Sequence, residues 1–249
     1  MQVRIAADQP WDVKADVLVV PLLGQPAFTG PLGELDSRSG KELSALVDFG
    51  ELRGKRFKAV LAGAGSDAKL GTKRLLLVNA GPAADLDREA VVKLAAAAIR
   101  RLGGRKVGSL AIWLSPLADA LEGGAAAVAE LAARGIVEGG YEPARIYRDG
   151  YEDGAPELKE LVLVAAGEEP GPLAKAAERG TIFGEGANIA RTLSNRSSND
   201  VSPEVMAEEA YTLAKKHGLW IDVIGPEKAT EMGMGLFMGS GGGATTRPG

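Results

Sequence analysis

Short runs rich in valine and leucine alternate with amphipathic stretches through residues 1–166. Six of these runs predict β-strands, at residues 3–6, 17–23, 57–61, 74–79, 107–114 and 161–166. Residues 17–23 and 74–79 are almost continuously apolar, which is typical of strands that are covered on both faces. Strands that alternate with helices in this way favour an α/β fold with a mostly parallel sheet and right-handed crossovers.

Two helices are predicted between the strands, at residues 85–102 and 119–138. In the first, apolar residues recur at spacings of three and four and form one stripe: Val91, Leu94, Ala95, Ala98 and Leu102. Asp85 or Asp87 can cap the start of this helix, and Gly103 with Gly104 can end it. The second helix is rich in alanine.

The texture of the sequence changes at residues 167–172, where GEEPGP indicates a turn and a domain boundary. The helical pattern that follows contains Gly180, Gly184 and Gly186. Each glycine weakens an isolated helix by roughly 1 kcal/mol relative to alanine. We therefore expect this helix to pack closely against another element.

The clearest helix signal is NDVSPEVMAEEAYTLAKKHG, at residues 199–218. Ser202 can be the N-cap, because its hydroxyl can accept a hydrogen bond from a free backbone N–H. Pro203 then occupies the first helical position, where its missing N–H costs nothing. Gly218 can end the helix in the left-handed conformation. Residues 219–224 predict another strand.

Composition and charge exclude several classes of protein. The 249-residue chain has no cysteine, so it forms no disulfide, thiolate nucleophile or cysteine zinc site. A formal net charge of −4 gives no basic field to recruit nucleic acid. The N-terminus, MQVRIAADQPW, is unlike a secretory signal, and the apolar residues 15–23 are too short to cross a bilayer. We expect a cytoplasmic protein without nucleic-acid or membrane partners.

Side chains that commonly hold metals or act as bases are sparse. His217 is the only histidine and lies in the last turn of a predicted helix, where the helix dipole favours a positive charge. One histidine excludes a two-histidine metal site within a single chain. The adjacent pairs Glu168–Glu169 and Glu208–Glu209 are interpreted as surface charge, because neighbouring side chains diverge on a helix.

Three glycine-rich segments are candidates for ligand binding. In GSGGGATT, at residues 239–246, Ala244 stands where a phosphate-binding P-loop requires lysine. Two other glycine turns follow predicted strands, and ligands bind at the carboxyl ends of strands in open α/β sheets. The candidate ligand positions in these turns are Gly63, Gly65, Asn79 and Gly81. Glycines that simply make turns explain the same residues.

Residues 195–207, NRSSNDVSPEVMA, resemble a motif of the M17 leucyl aminopeptidases, of the form Asn-x-Pro-x-Asn-x-x-Ser/Thr-Pro. Asn195, Asn199, Ser202 and Pro203 match this motif, whereas Ser197 replaces its first proline. Upstream, GANIARTLSN is similar to the family's helix ending in Ala-Arg-x-Leu-x-Asn. Downstream, MGMGLFMGSGGG is similar to the family's Gly-Met-Gly stretch and the glycine-rich turn after it.

The N-terminal half also resembles the first domain of this family, through ADVLVVPLL, RLLLVNAG and the helix that ends in Arg-Arg. VNAGP stands where the family more usually has Val-Gly-Leu-Gly. The resemblance implies a macro-domain-like α/β sandwich over residues 1–166 and a linker over residues 167–172. Residues 173–249 would then hold a linker helix and the incomplete start of a second α/β domain, the catalytic one.

The resemblance further implies a cytosolic, hexameric metallopeptidase that releases N-terminal amino acids from peptides. Two divalent metals, Zn or Mn, would polarise the scissile carbonyl and activate a water. The family's metal ligands lie in motifs such as Gly-Lys-Gly-x-x-Phe-Asp and Asn-Thr-Asp-Ala-Glu-Gly-Arg, and neither occurs in this sequence. We therefore predict no catalytic or metal-binding residue here, and we expect the chain to be an N-terminal portion that is inactive alone.

Two other functions stay open. The self-contained α/β pattern of residues 1–166 is compatible with a standalone macro-like module that binds a nucleotide or ADP-ribose. The missing metal motifs are also compatible with a non-catalytic subunit that joins copies in a homo-oligomer.

Overall fold

The computed structural model describes residues 1–65 and 68–241. The chain divides into two compact units, Met1–Asn195 and Arg196–Gly249. Within the described residues, all six β-strands lie in the first unit, and nine α-helices are shared between the two. None of the helices in this part of the chain is long and apolar enough to cross a membrane.

The first unit is built on one six-stranded sheet. Its strands are β1 (Gln2–Ala6), β2 (Val17–Leu23), β3 (Ala59–Gly63), β4 (Arg74–Gly81), β5 (Ser109–Trp113) and β6 (Glu160–Val164). Their order across the sheet is β1-β6-β5-β2-β4-β3. Every neighbouring pair is parallel except β3 and β4, which are antiparallel. The predicted α/β fold with a mostly parallel sheet is confirmed.

Six helices surround this sheet: α1 (Gly30–Arg38), α2 (Glu42–Phe49), α3 (Arg88–Arg101), α4 (Ser115–Ala118), α5 (Gly124–Gly139) and α6 (Pro170–Asn195). The predicted helix 85–102 is confirmed as α3, with the Asp87 carboxylate accepting a hydrogen bond of 2.7 Å from the Ala90 N–H. The predicted single helix 119–138 is wrong at its start. Gly123 and Gly124 have φ values of 91° and 57°, which do not occur within a continuous α-helix. The chain therefore turns at these glycines, and α5 starts at Gly124.

Helices cover both faces of the sheet. Side chains of β2 alternate between the two faces, and its first six residues are all buried. Val17 and Val19 pack with the cluster that includes α3, α5 and α6, whereas Leu18 and Val20 pack with α1 and α2. This two-sided burial explains why the sequence of β2 is continuously apolar, and it confirms the prediction for residues 17–23.

Glycines let α6 approach α5 closely, as the sequence predicted. A Cβ atom at Gly180 would overlap the backbone carbonyl oxygen of Glu130, and one at Gly184 would lie 2.7 Å from the Cβ of Val137. Gly186 has open space around it. The first two glycines are therefore required by helix packing, whereas the third is not.

The second unit contains α7 (Pro203–His217), α8 (Pro226–Glu231) and α9 (Gly235–Gly241). The predicted cap and terminator of α7 are confirmed: the Ser202 hydroxyl accepts a hydrogen bond of 3.3 Å from the Val205 N–H, and Gly218 has a φ of 66°. The predicted strand at residues 219–224 is wrong. No strand is present in the described part of this unit to pair with it, and a strand needs such a partner.

The glycine-rich segment at the end of the chain is only partly described. Residues 239–241, predicted to begin a turn, belong to α9. These residues continue a helix that begins at Gly235. A glycine lowers the stability of a helix by about 1 kcal/mol relative to alanine, which does not prevent the helix from forming. Residues 242–249 lie outside the described residues, and so does the comparison with a P-loop at Ala244.

The domain limits 1–166, 167–172 and 173–249 stay a prediction. In the structure α6 packs on α5 and belongs to the first compact unit, which ends at Asn195. Residues 167–172 contain a turn at Gly167, with a φ of 82°, and the first residues of α6.

Asp16 ties the start of β2 to the start of β5. Its Oδ2 accepts hydrogen bonds from the N–H groups of Gly108, at 2.9 Å, and Ser109, at 3.0 Å. The bond from Gly108 is the main reason why the pKa of Asp16 is lowered, with smaller contributions from Ser109 and Lys73. The ionised carboxylate is therefore favoured by folding.

Replacing Asp16 with asparagine should make the unfolding free energy less dependent on pH under acidic conditions. The stabilisation by Asp16 is fully present above its unfolded pKa of about 3.9, and it is lost as the pH falls through the lower folded value. Denaturant unfolding of both proteins between about pH 2 and 7 measures this. The two curves should converge toward low pH; a constant difference would contradict the role of the charge.

Candidate functional site

The structure separates the two glycine turns that the sequence offered as ligand positions. Because β3 is antiparallel to β4, Gly63 pairs with Arg74 at the start of β4, whereas Asn79 and Gly81 lie at its end. Eight residues of strand span about 23 Å. Gly63 and Gly65 therefore lie at the end of the sheet where β4 begins, and Asn79 and Gly81 lie at the end where β4 finishes. They do not form one site.

Asn79 contributes to a cleft at the carboxyl ends of the parallel strands β2 and β4. We call it the β2/β4 cleft; its volume is about 460 Å³. Its polar lining consists of Gln25, Asp48, Arg53 and Asn79, and its apolar lining includes Leu22, Val47 and Leu52. In open α/β sheets, ligands bind at the carboxyl ends of the strands. The sequence predicted neither Asp48, which lies at the end of α2, nor Arg53 as a site residue. It also predicted no helix at the position of α2.

The side chain of Asn79 is held by the protein itself. Its Nδ2 donates a hydrogen bond of 3.2 Å to the Leu52 carbonyl, and its Oδ1 accepts one of 2.9 Å from the Gly81 N–H. Gly81 has a φ of 80°, and a Cβ there would lie 2.8 Å from Nε of Arg56. Asn79 therefore forms a rigid wall of the cleft. A direct role of Asn79 or Gly81 in binding stays a prediction.

A second cleft, of about 950 Å³, lies along α3, α5 and α6. Glu130 of α5 lies in its floor, and its side chain is only 8% exposed. It accepts hydrogen bonds of 3.0 Å from Arg88 on α3 and 2.8 Å from Arg179 on α6. This carboxylate therefore joins three helices. The sequence does not predict this role, because nothing in an alanine-rich helix marks one glutamate as buried.

The described residues do not supply a metal centre. Within residues 1–65 and 68–241, no group of three His, Asp or Glu side chains lies close enough together to hold a metal ion. His217 is exposed in the last turn of α7. Glu209 accepts a hydrogen bond of 3.2 Å from Arg196. The donor set required by a two-metal hydrolase is thus not found in this part of the chain.

The motif residues between α6 and α7 make local contacts. Asn195 donates a hydrogen bond of 3.2 Å to the Tyr141 hydroxyl, and Asn199 is exposed. Ser202 caps α7, and Pro203 begins it. These contacts organise the end of α6 and the start of α7; any further role of the four positions stays a prediction.

Comparison with known proteins identifies the relatives of the chain. Residues 19–148 match the model of the cytosol aminopeptidase family, N-terminal domain. The chain belongs to the cytosol aminopeptidase, or M17, family. The match covers the sheet from β2 to β5, both flanking helix layers up to α5, and the β2/β4 cleft.

Curated relatives of this chain are described as probable cytosol aminopeptidases. The one from Solibacter usitatus is 30% identical over 239 residues, which cover 96% of this chain and 45% of the relative. The one from Roseiflexus castenholzii is 29% identical over 249 residues, which cover 100% of this chain and 48% of the relative. The chain thus spans less than half the length of these curated relatives and corresponds to the N-terminal portion of an M17 aminopeptidase.

Three solved structures extend this comparison. A mutant of tomato leucine aminopeptidase has a TM-score of 0.74 over 94% of this chain and 46% of its own length; at 20% identity it shows the shared fold. The bottromycin maturation enzyme BotP is 26% identical, with a TM-score of 0.63 over 88% of this chain and 41% of its own. BotP has also been solved in complex with Mn, with a TM-score of 0.62.

Proposed function

We propose that the chain serves as the N-terminal portion of a cytosol aminopeptidase whose complete form removes N-terminal residues from peptides. The observation that carries the proposal is the family match, which extends to relatives about twice as long. Under this proposal the chain alone hydrolyses no peptide bond. The reacting groups come from polypeptide that corresponds to the other half of those relatives.

Divalent metals, Zn or Mn, belong to the complete enzyme in this proposal. The BotP complex with Mn supports a metal requirement in the family. The described residues of this chain do not fit such a centre, because no group of three suitable ligands occurs among them.

The second unit carries the surface on which the other half would dock. Seven of its exposed apolar residues, which we call the 219–236 surface, are Leu219, Trp220, Val223, Ile224, Met232, Met234 and Leu236. Trp220 is 87% exposed and Leu236 is 95% exposed, and the only buried apolar residues in the described part of this unit are Ala214 and Ala229. Exposed large apolar side chains in this number support an interface with another polypeptide.

Hydrolysis of leucine p-nitroanilide tests the proposal. The 249-residue chain is compared with a chimera in which it is fused to the C-terminal half of the Roseiflexus castenholzii relative, whose alignment covers the entire chain. With Mn or Zn added, we expect chelator-sensitive hydrolysis by the chimera and none by the chain alone. Chelator-sensitive hydrolysis by the chain alone would show that it contains a complete site.

Variants of the chimera test the 219–236 surface. Trp220→Ser and Leu236→Ser should lower the recovered activity several-fold, with the larger loss at Trp220, because a few anchor residues, tryptophan prominent among them, carry most of the energy of an interface. Ile182→Ser on α6 is the control, since Ile182 is 61% exposed but belongs to the first unit. Equal losses in all three variants would assign the surface no special role.

Assembly into a homo-oligomer and a cytoplasmic location are part of the same proposal. Membership of the cytosol aminopeptidase family supports both, and it also supports peptides as substrates of the complete enzyme. A macro-domain-like sandwich in the first unit is proposed on its mostly parallel sheet between two helix layers. The nucleotide-binding alternative receives no support from Gly63 and Gly65, which lie away from the β2/β4 cleft.

A further inference from the structure

The β2/β4 cleft has the features of a small-molecule site that hydrolysis by the complete enzyme does not require. It lies at the carboxyl ends of two neighbouring parallel strands, where open α/β sheets bind ligands. Its volume of about 460 Å³ falls in the range of small-molecule pockets. These are properties of the first unit alone.

The backbone around the cleft is irregular. Leu22 pairs with Asn79 and Leu23 with Gly81, so the register shifts and Ala80 bulges out of β4. Phe57, whose N–H donates a hydrogen bond of 2.8 Å to the Asn79 carbonyl, has a φ of 67°, which is strained for a bulky residue. Bulges and strained residues are concentrated next to binding sites, because they aim side chains that a regular ladder would not.

Two exposed side chains of opposite charge line the cleft, and neither has an ion-pair partner in the described part of the chain. Asp48 lies in the last turn of α2, and Arg53 follows five residues later, after the left-handed Gly50. Among the described residues, neither side chain forms an ion pair with the other or with any third group. Leu22, Val47 and Leu52 supply an apolar surface beside them.

We propose that the β2/β4 cleft binds a free α-amino acid with an aliphatic side chain. The guanidinium of Arg53 pairs with its carboxylate, the carboxylate of Asp48 pairs with its ammonium group, and the side chain lies against Leu22, Val47 and Leu52. Charge complementarity selects this class. A phosphate or dicarboxylate would be repelled by Asp48, and an amine without a carboxylate would leave Arg53 unpaired.

The ligand has the chemistry of a product of aminopeptidase action. Under the proposed function, the first unit would therefore bind what the complete enzyme releases. The binding itself depends only on the cleft, so it can be tested on the chain as it stands, without hydrolysis. Loss of the proposed function would leave this site intact, and the reverse also holds.

The first test is a titration of the 249-residue chain with L-leucine, followed by amide NMR and by calorimetry. We expect a Kd of about 1 mM. Resonances of Leu52 and Asn79 should shift. Two analogues of the same shape, 4-methylpentanoate without the ammonium group and 3-methylbutylamine without the carboxylate, should each bind about tenfold more weakly, because each leaves one charge unpaired.

Variants of the two charged residues provide the second test. Asp48→Asn and Arg53→Gln should each weaken leucine binding about tenfold. Glu51→Gln and Lys55→Gln are matched controls, because they change charge in the same segment but do not line the cleft. Unchanged thermal unfolding shows that the variants fold. Equal binding of leucine and its two analogues, equal losses in the controls, or unshifted Leu52 and Asn79 resonances would overturn the proposal.

Discussion

Replacing Gly180 with alanine should destabilise the first unit by about 3 kcal/mol, at the upper end of the usual cost of overpacking. The added methyl group would overlap the backbone carbonyl oxygen of Glu130. A backbone atom cannot move aside like a flexible side chain, so α6 must shift away from α5. Such a shift would also disturb the hydrogen bonds between Glu130 and Arg179 on α6.

Gly186→Ala in the same helix is the matched control. Gly186 is exposed and has nothing near the position of an added Cβ. Alanine there should stabilise α6 by up to about 1 kcal/mol, because its intrinsic helix propensity is higher. Denaturant unfolding monitored by circular dichroism measures both changes. Opposite signs are expected, and a similar small change in both variants would mean that α6 is not in tight contact with α5.

Leu76→Ala and Leu77→Ala should each cost about 2–5 kcal/mol, although the two residues are neighbours in β4. Their side chains point to opposite faces of the sheet, and both are fully buried. Leu76 packs with the cluster on the side of α3, α5 and α6, whereas Leu77 packs with the cluster that includes α1 and α2. Each substitution therefore leaves a cavity in a different core.

The same unfolding measurement checks this pair. Leu236→Ala is the control, since Leu236 is 95% exposed and its truncation in the isolated chain should change the unfolding free energy by less than about 0.5 kcal/mol. A large effect at only one of the two β4 positions would show that one face of the sheet is not a well-packed core.

Much of the secondary structure could be predicted from local patterns. The apolar runs at residues 17–23 and 74–79 predicted central strands, because a sheet that is covered on both faces needs apolar side chains on both. The cap at Ser202 and the terminator at Gly218 were predictable because backbone groups at helix ends require such partners within a few residues. Gly180 and Gly184 indicated a close helix contact because glycine is otherwise unfavourable in a helix.

The site depended on information that local patterns do not contain. Gly63 and Asn79 both come at the ends of apolar runs, yet the antiparallel direction of β3 puts them at opposite ends of the strands. Asp48 and Arg53 lie beside Leu22 and Asn79 only because α2, which the sequence did not predict, ends next to β2 and β4. The same holds for Glu130, whose two arginine partners lie on other helices.

The sequence by itself thus determined the strands and helices that local periodicity and capping specify, together with the family resemblance between residues 195 and 207. Only the tertiary structure decided the direction of β3, the partners of Glu130 and the placement of Asp48 and Arg53 beside β2 and β4. The physical reason is distance along the chain. Hydrogen bonding and propensity act over a few residues, whereas strand direction and charge pairing are set by the packing of segments that lie tens of residues apart.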